Sequence, residues 1–192
     1  MNTRKLTLTA LFVALVLLLG LTPLGLIPLV VINLTTLFLP VVVGTLVLGL
    51  KPGLFLGFCF GAMSALSAFG LSPVAQSTLV APIVAESPIL ALLLCFVPRM
   101  LVPVSCHLVY RLASRGKERS LKALPFAAAA GPLTNTILYL GLMLVFYGLL
   151  GLDNENLLGV IFGLGGLGGL GEMVLSIVLT TPIVAALWKI GA

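Results

Sequence analysis

The chain is 192 residues long, 60% hydrophobic and 8% charged, with a net charge of +5 and a mean hydropathy of +1.30. A soluble domain carries about 25% charged residues, so a water-soluble globule is excluded for want of polar surface. The apolar runs are long and lack the alternation of a barrel strand, which leaves an all-α integral membrane protein.

A helical span needs about 20 apolar residues, and six spans fit into a single membrane domain covering residues 1–192. A basic start precedes the first span, residues 6–22. No small-residue cleavage site lies before Pro23, so this segment reads as a retained helix rather than a signal peptide. Residues 23–34 read as a loop. The second span is placed at 35–50 and the third at 54–69, with a turn at Lys51-Pro52-Gly53 between them. A longer connection, 70–87, holds Gln76, Ser77, Thr78 and Glu86. The fourth span is placed at 88–112, followed by the basic loop SRGKERSLK. The fifth span is placed at 123–149, and the loop after it holds Asp153, Asn154, Glu155 and Asn156. A glycine-rich stretch, GVIFGLGGLGGLG, leads into the sixth span at 170–188.

Arg4, Lys5, Lys51, Arg111, Arg115, Lys117, Arg119, Lys122 and Lys189 all fall on the side of the N-terminus. The opposite loops hold Glu86, Asp153 and Glu155. The positive-inside rule then predicts that both termini are cytoplasmic. The basic residues are topology signals and not a nucleic-acid surface. The glycine-rich stretch lacks the Lys-Ser/Thr ending of a phosphate-binding loop. No cytoplasmic segment is long enough for a nucleotide-binding domain, so the chain does not hydrolyse ATP alone.

Arg99 is the one basic residue that topology does not explain. It lies inside LLLCFVPRMLVPVSCHLVY, between Pro98 and Pro103. A charge at such depth costs at least ~2.5–3.5 kcal/mol and calls for a partner or a function. The two prolines leave the carbonyls of Leu94 and Arg99 without their helical donors. The fifth span offers Thr134, Asn135 and Thr136 at a similar depth, and the sixth offers Glu172. If these three spans adjoin, the polar groups face one outward-opening cavity. Arg99 suits a carboxylate as a fixed fork, and Thr134, Asn135 and Thr136 suit hydroxyls and amides. The competing reading is an Arg99–Glu172 ion pair in an inert bundle.

Asn33, Thr35 and Thr36 stand at the mouth of the second span, where they either touch a ligand or cap the helix. Ala10 and Ala14 are four apart on the first span, and Gly53, Gly57, Gly61 and Ala65 form a four-spaced stripe on the third. Such stripes let backbones approach closely. The third span's stripe reads as packing within the chain, whereas Ala10 and Ala14 fit a partner surface. Cys59, Cys95 and Cys106 have no metal-ligand spacing and read as small core residues. His107 reads as an interfacial residue, and no serine has the setting of an intramembrane protease.

Several strings resemble the substrate-binding S components of energy-coupling factor (ECF) vitamin transporters, most closely the pantothenate group. LTALFVALVLLLGLTPLGLIP is similar to that family's first helix. INLTTLFLPVVVGTLVLGLKPGLFLGFCFG is similar to the second and third, and FVPRMLVP, GPLTNTILYLG and GLGEMV to the last three. The resemblance implies a vitamin held in the outward half of a six-helix bundle in a prokaryotic plasma membrane. It implies that Arg99, Asn135 and Glu172, with Asn33, Thr35 and Thr36 of the first loop, belong to that site. It also implies that Ala10 and Ala14 meet a transmembrane coupling protein carrying two ATPases. ATP would then be used by those partners, with no cofactor or metal held by this chain. One departure from the family is the comparatively apolar SPVAQSTLVAPIVAES before the fourth span, which leaves another small vitamin or precursor open. A membrane assembly protein without transport activity and an autonomous secondary transporter are the alternatives from other classes.

Overall fold

A computed structural model of the chain describes residues 3–22, 24–29, 32–73, 77–117, 119–152, 159, 163 and 165–190. The elements in chain order are α1 (Thr3–Gly20), β1 (Leu26–Leu29), β2 (Ile32–Thr35), α2 (Phe38–Leu48), α3 (Leu50–Ala68), α4 (Ala81–Glu86), α5 (Pro88–Ser114), α6 (Leu124–Leu150) and α7 (Gly166–Lys189). A single 3-10 turn, Leu121–Ala123, leads into α6. Gln76 and residues Asp153 to Asn156, read from sequence as polar loop positions, lie outside the described residues.

Among the described residues, five helices are long and apolar enough to cross a membrane: α1, α3, α5, α6 and α7. The second expected span, 35–50, contains α2, an apolar helix shorter than these five. Helix α2 has 11 residues, about 16 Å at 1.5 Å per residue. A β-hairpin occupies the stretch read as a loop, pairing Leu26 with Thr35 and Leu29 with Ile32. The turn between α2 and α3 is corrected, from Lys51–Gly53 to Gly49. Gly49 has φ +97°, a conformation glycine adopts without steric cost. Lys51, Pro52 and Gly53 form the first turn of α3, where proline's missing N–H is no loss.

Two apolar clusters build the core. One joins Phe12, Val16, Phe38, Val42, Leu56, Phe60, Val102, Cys106, Leu124 and Ala127. The other joins Ala65, Ala68, Val80, Ile83, Leu94, Cys95, Met143, Phe146 and Tyr147. Helices α3 and α6 enter the first cluster early and the second late, and α5 does the reverse. Helix α5 therefore runs antiparallel to α3 and α6, and the residues between the clusters form a middle layer. Ser64, Arg99 and Asn135 all fall in that layer.

The glycine stripe of α3 packs inside the chain, as its sequence suggests. A Cβ on Gly57 would lie 2.8 Å from the Arg99 carbonyl oxygen, and one on Gly61 would lie 2.8 Å from the Phe96 ring. Only hydrogen at these positions lets α3 and α5 approach so closely.

At the other end of the bundle, Arg119 Nη1 donates to the Trp188 carbonyl at 2.8 Å and Arg4 Nη2 to the Ile190 carbonyl at 3.1 Å. The last carbonyls of a helix have no intrahelical donors and carry partial negative charge. Two arginines distant in sequence therefore close the end of α7, placing Arg4, Arg119 and Lys189 at one end of the molecule.

Candidate functional site

A cavity opens in the middle layer, lined by Thr35, Ser64, Ser67, Ala68, Ser77, Val80, Cys95, Arg99, Asn135 and Tyr139. Arg99 and Asn135 are 6% and 5% exposed. Helix α5 is uninterrupted through Pro98 and Pro103. Pro98 has no N–H, so the Leu94 carbonyl lacks its helical donor. Arg99 Nη1 donates to that oxygen at 2.9 Å. The side chain thus satisfies the carbonyl that its own neighbour frees, and this fixes the guanidinium over the cavity.

Two aromatic rings hold the guanidinium from the sides. Its carbon lies 4.5 Å from the Tyr139 ring centroid and 5.6 Å from that of Phe60. A cation over an aromatic face is stabilised by about 0.5–2 kcal/mol, more where water is excluded. One donor is left over: Arg99 Nε is buried with no hydrogen-bond partner among the described residues. Asn135 Oδ1 is likewise a buried acceptor without a partner. Leaving either group unsatisfied costs about 1–3 kcal/mol. A donor and an acceptor are therefore both unpaired in one cavity.

The ion pair of the competing reading, Arg99–Glu172, is not formed among the described residues. Glu172 is 5% exposed, and its Oε1 accepts the backbone N–H of Thr35 at 2.8 Å. Glu172 is not among the cavity-lining residues. The lining therefore presents one guanidinium and no carboxylate, which favours an anion.

Of the other residues singled out from sequence, Thr35 reaches the cavity wall, and its Oγ1 accepts the Leu37 N–H at 3.2 Å. That bond is a local turn before α2, whose N-cap is Leu37 with no side-chain cap bond, so the capping reading of Thr35 is corrected and its place in the cavity wall remains. The Thr36 hydroxyl instead donates to the Leu24 carbonyl at 2.7 Å and closes the base of the hairpin. Thr134 is half-buried away from the lining. Thr136 borders a narrow gap between α6 and α7, beside Asn135 and Gly169. Asn33 pairs through its backbone with Pro28, and its side chain lies outside the described residues.

Sequence reasoning missed Ser64, Ser67 and Tyr139. Ser64 and Ser67 sit on a helix read only for its glycine stripe, three residues apart and so on one face. Tyr139 stands four residues after Asn135 on α6, the same-face spacing that could have found it. The connection before α5 contributes Ser77 and Val80. The Tyr147 hydroxyl ties that connection to α6 by donating to the Leu79 carbonyl at 2.7 Å.

The cavity holds about 50 Å³, room for a few waters and well below the ~300–1,000 Å³ of an occupied small-molecule site. Ala10 and Ala14 lie far from it. Both are exposed, and with Leu6, Thr9, Val13, Leu17 and Phe55 they line an apolar groove of about 430 Å³ between α1 and α3. Only Phe12, Val16 and Gly20 of α1 are buried.

Comparison with known proteins places this geometry. Residues 4–184 match the family described as ECF transporter, substrate-specific component. Over 164 residues the chain is 34% identical to the pantothenic acid transporter PanT of Lactococcus lactis subsp. cremoris (strain MG1363), covering 81% of this chain and 78% of that protein.

Proposed function

The chain belongs to the substrate-specific components of ECF transporters, and on that premise we propose that it is the high-affinity pantothenate-binding subunit of an ATP-driven importer. It is a transporter binding subunit and not an enzyme. The observation that carries the substrate is the unpaired couple of Arg99 Nε and Asn135 Oδ1 in one buried cavity. Pantothenate carries a carboxylate at one end and hydroxyls at the other, with an amide between. The guanidinium takes the carboxylate, a charge-assisted bond strengthened where water is excluded. Asn135 Oδ1 takes a hydroxyl or the amide N–H, and Ser64, Ser67 and Ser77 complete the polar wall. The name of the PanT relative supports the same substrate.

The cavity must widen to admit this ligand. Helices α3, α5 and α6 are packed by the core clusters, and the connection at Ser77–Val80 is held by Val80 in the second cluster and by Tyr147 on Leu79, so the wall that yields is the hairpin end at Thr35. We place the hairpin end and the Ser77–Val80 connection at the external side of a prokaryotic plasma membrane. The end closed by Arg4 and Arg119 then lies in the cytoplasm, in keeping with the positive-inside rule. The exposed small face of α1, with Ala10 and Ala14, docks on a transmembrane coupling protein that carries two ATPases, and ATP is hydrolysed there.

A thermal-shift screen of the purified protein against a panel of vitamins tests the substrate. Pantothenate alone should raise the midpoint, by several degrees at saturating ligand. A shift with a different vitamin and none with pantothenate would overturn the assignment. Copurification with ATPase subunits that is lost in Ala10→Trp and Ala14→Trp variants tests the docking face.

A further inference from the structure

Helix α5 ends at Ser114, and the chain turns back on itself there. Arg115 and Gly116 take positive φ, +50° and +76°, and the Lys117 N–H donates to the Ser114 carbonyl at 3.0 Å. The turn returns Lys117 to the end of α5, where it lines a groove of about 500 Å³ with Leu108, Tyr110, Arg111, Leu112 and Ser114. The floor of this groove is fixed. The Tyr110 hydroxyl accepts the Ser120 N–H at 2.9 Å, and its ring meets Trp188 edge-on with centroids 5.9 Å apart. The Ser114 hydroxyl donates to the Arg111 carbonyl at 3.2 Å. Arg111 stands twelve residues after Arg99 on α5, about 18 Å at 1.5 Å per residue, so the groove is separate from the vitamin cavity.

The cations above this floor differ from the others at the same end of the molecule. Arg4 and Arg119 donate to the last carbonyls of α7. The side chains of Arg111 and Lys117 are exposed and make no hydrogen bond or ion pair among the described residues. From Arg111 to Lys122 the chain carries five basic residues against one acidic, Glu118, which lies outside the described residues. The local potential is therefore positive. Two leucines stand beside the cations on one face of α5. Leu108 and Leu112 are 55% and 70% exposed and one helical turn apart. Helix α5 is a membrane-spanning segment, so a face that passes from leucine to arginine at its end passes from acyl chains to the headgroup layer.

We propose that this groove binds one anionic phospholipid, with the phosphate held between Arg111 and Lys117 and an acyl chain laid along Leu108 and Leu112. The two cations give the phosphodiester charge-assisted hydrogen bonds, the guanidinium as a planar fork and the ammonium as a point charge. The leucines supply apolar contact that a free phosphate ion cannot use. A zwitterionic lipid brings its own ammonium beside Arg111 and Lys117, and that like charge opposes binding. The site therefore selects by headgroup charge and holds by the chain. It does not depend on which vitamin the central cavity takes.

Native mass spectrometry of the delipidated full chain tests the site, with the protein released from mixed micelles holding equal amounts of phosphatidylglycerol and phosphatidylcholine. Wild type should retain one phosphatidylglycerol at least about fivefold in preference to phosphatidylcholine, the effect of one basic residue near an anionic headgroup. Arg111→Gln with Lys117→Gln should bring the two lipids to parity. Lys51→Gln with Lys122→Gln removes the same charge elsewhere and should keep the preference. All four positions are exposed, so the fold is kept. Leu108→Ser with Leu112→Ser should lower phosphatidylglycerol retention at unchanged charge. Parity in wild type overturns the proposal, as does a preference kept in the Arg111 and Lys117 variant. Equal loss in both charge variants means attraction by net charge alone and overturns it too. Unchanged retention in the leucine variant reduces the site to a phosphate contact and overturns it as a lipid site. Parity in wild type, with ATPase copurification lost in the Arg111 and Lys117 variant, assigns the groove to the coupling protein instead.

Discussion

The Leu94 carbonyl accepts Arg99 Nη1 at 2.9 Å because Pro98, four residues after Leu94, has no N–H to give it. The proline therefore orients the guanidinium as well as marking the helix. Replacing Pro98 with alanine restores a helical donor that competes for the same oxygen and loosens Arg99. Pantothenate affinity should fall about tenfold, which is ~1.4 kcal/mol and within reach of one charge-assisted hydrogen bond. The melting temperature in detergent should hold or rise, since a proline within a helix is removed. An unchanged affinity measured by calorimetry would break the link between Pro98 and the site.

Tyr139 holds the guanidinium by its ring face, with the centroid 4.5 Å from the Arg99 guanidinium carbon. Tyr139→Phe keeps that face and should bind within about threefold of wild type. Tyr139→Leu removes it and should cost about tenfold, in line with ~0.5–2 kcal/mol for a cation over a ring. Equal losses in the two variants would mean that the hydroxyl matters and the ring does not.

Gly57 and Gly141 make a matched pair of probes for packing. A Cβ on Gly57 meets the Arg99 carbonyl oxygen at 2.8 Å and Pro103 at 3.2 Å, both parts of a packed helix. A Cβ on Gly141 meets nothing within 4 Å. Gly57→Ala should destabilise the protein by about 1–3 kcal/mol and weaken ligand binding through displacement of α5. Gly141→Ala should be neutral or stabilising by up to about 1 kcal/mol, because alanine is the better helix former. Thermal unfolding in detergent reads both, and equal effects would contradict the close approach of α3 and α5.

Much of this arrangement was legible in the sequence, for identifiable physical reasons. Arg99 stood out because charge in an apolar helix is costly, and the gap at Leu94 followed from the bare chemistry of proline. Asn135 was found as a deep polar residue, and Ala10 and Ala14 as a small face left exposed. The hairpin was not found: Leu26–Leu29 is a short apolar run that contains Pro28, which argues against a strand, and the alternation of Ile32–Thr35 lasts only four residues. Ser64 and Ser67 were passed over because small hydroxyls are common in packed helices and leave no charge signal. The partner of Glu172 was hidden because it is the backbone N–H of Thr35, a group every residue but proline carries.

The central claim is that Arg99 holds the anionic end of pantothenate. Isothermal titration calorimetry of the purified protein with pantothenate, in wild type, Arg99→Lys and Arg99→Ala, tests it most directly. Wild type should bind tightly with one site per chain. Arg99→Lys should lose at least about tenfold, because an ammonium lacks the planar fork, and Arg99→Ala should show no measurable heat while its circular dichroism stays helical. Wild-type affinity retained in folded Arg99→Ala would contradict the claim.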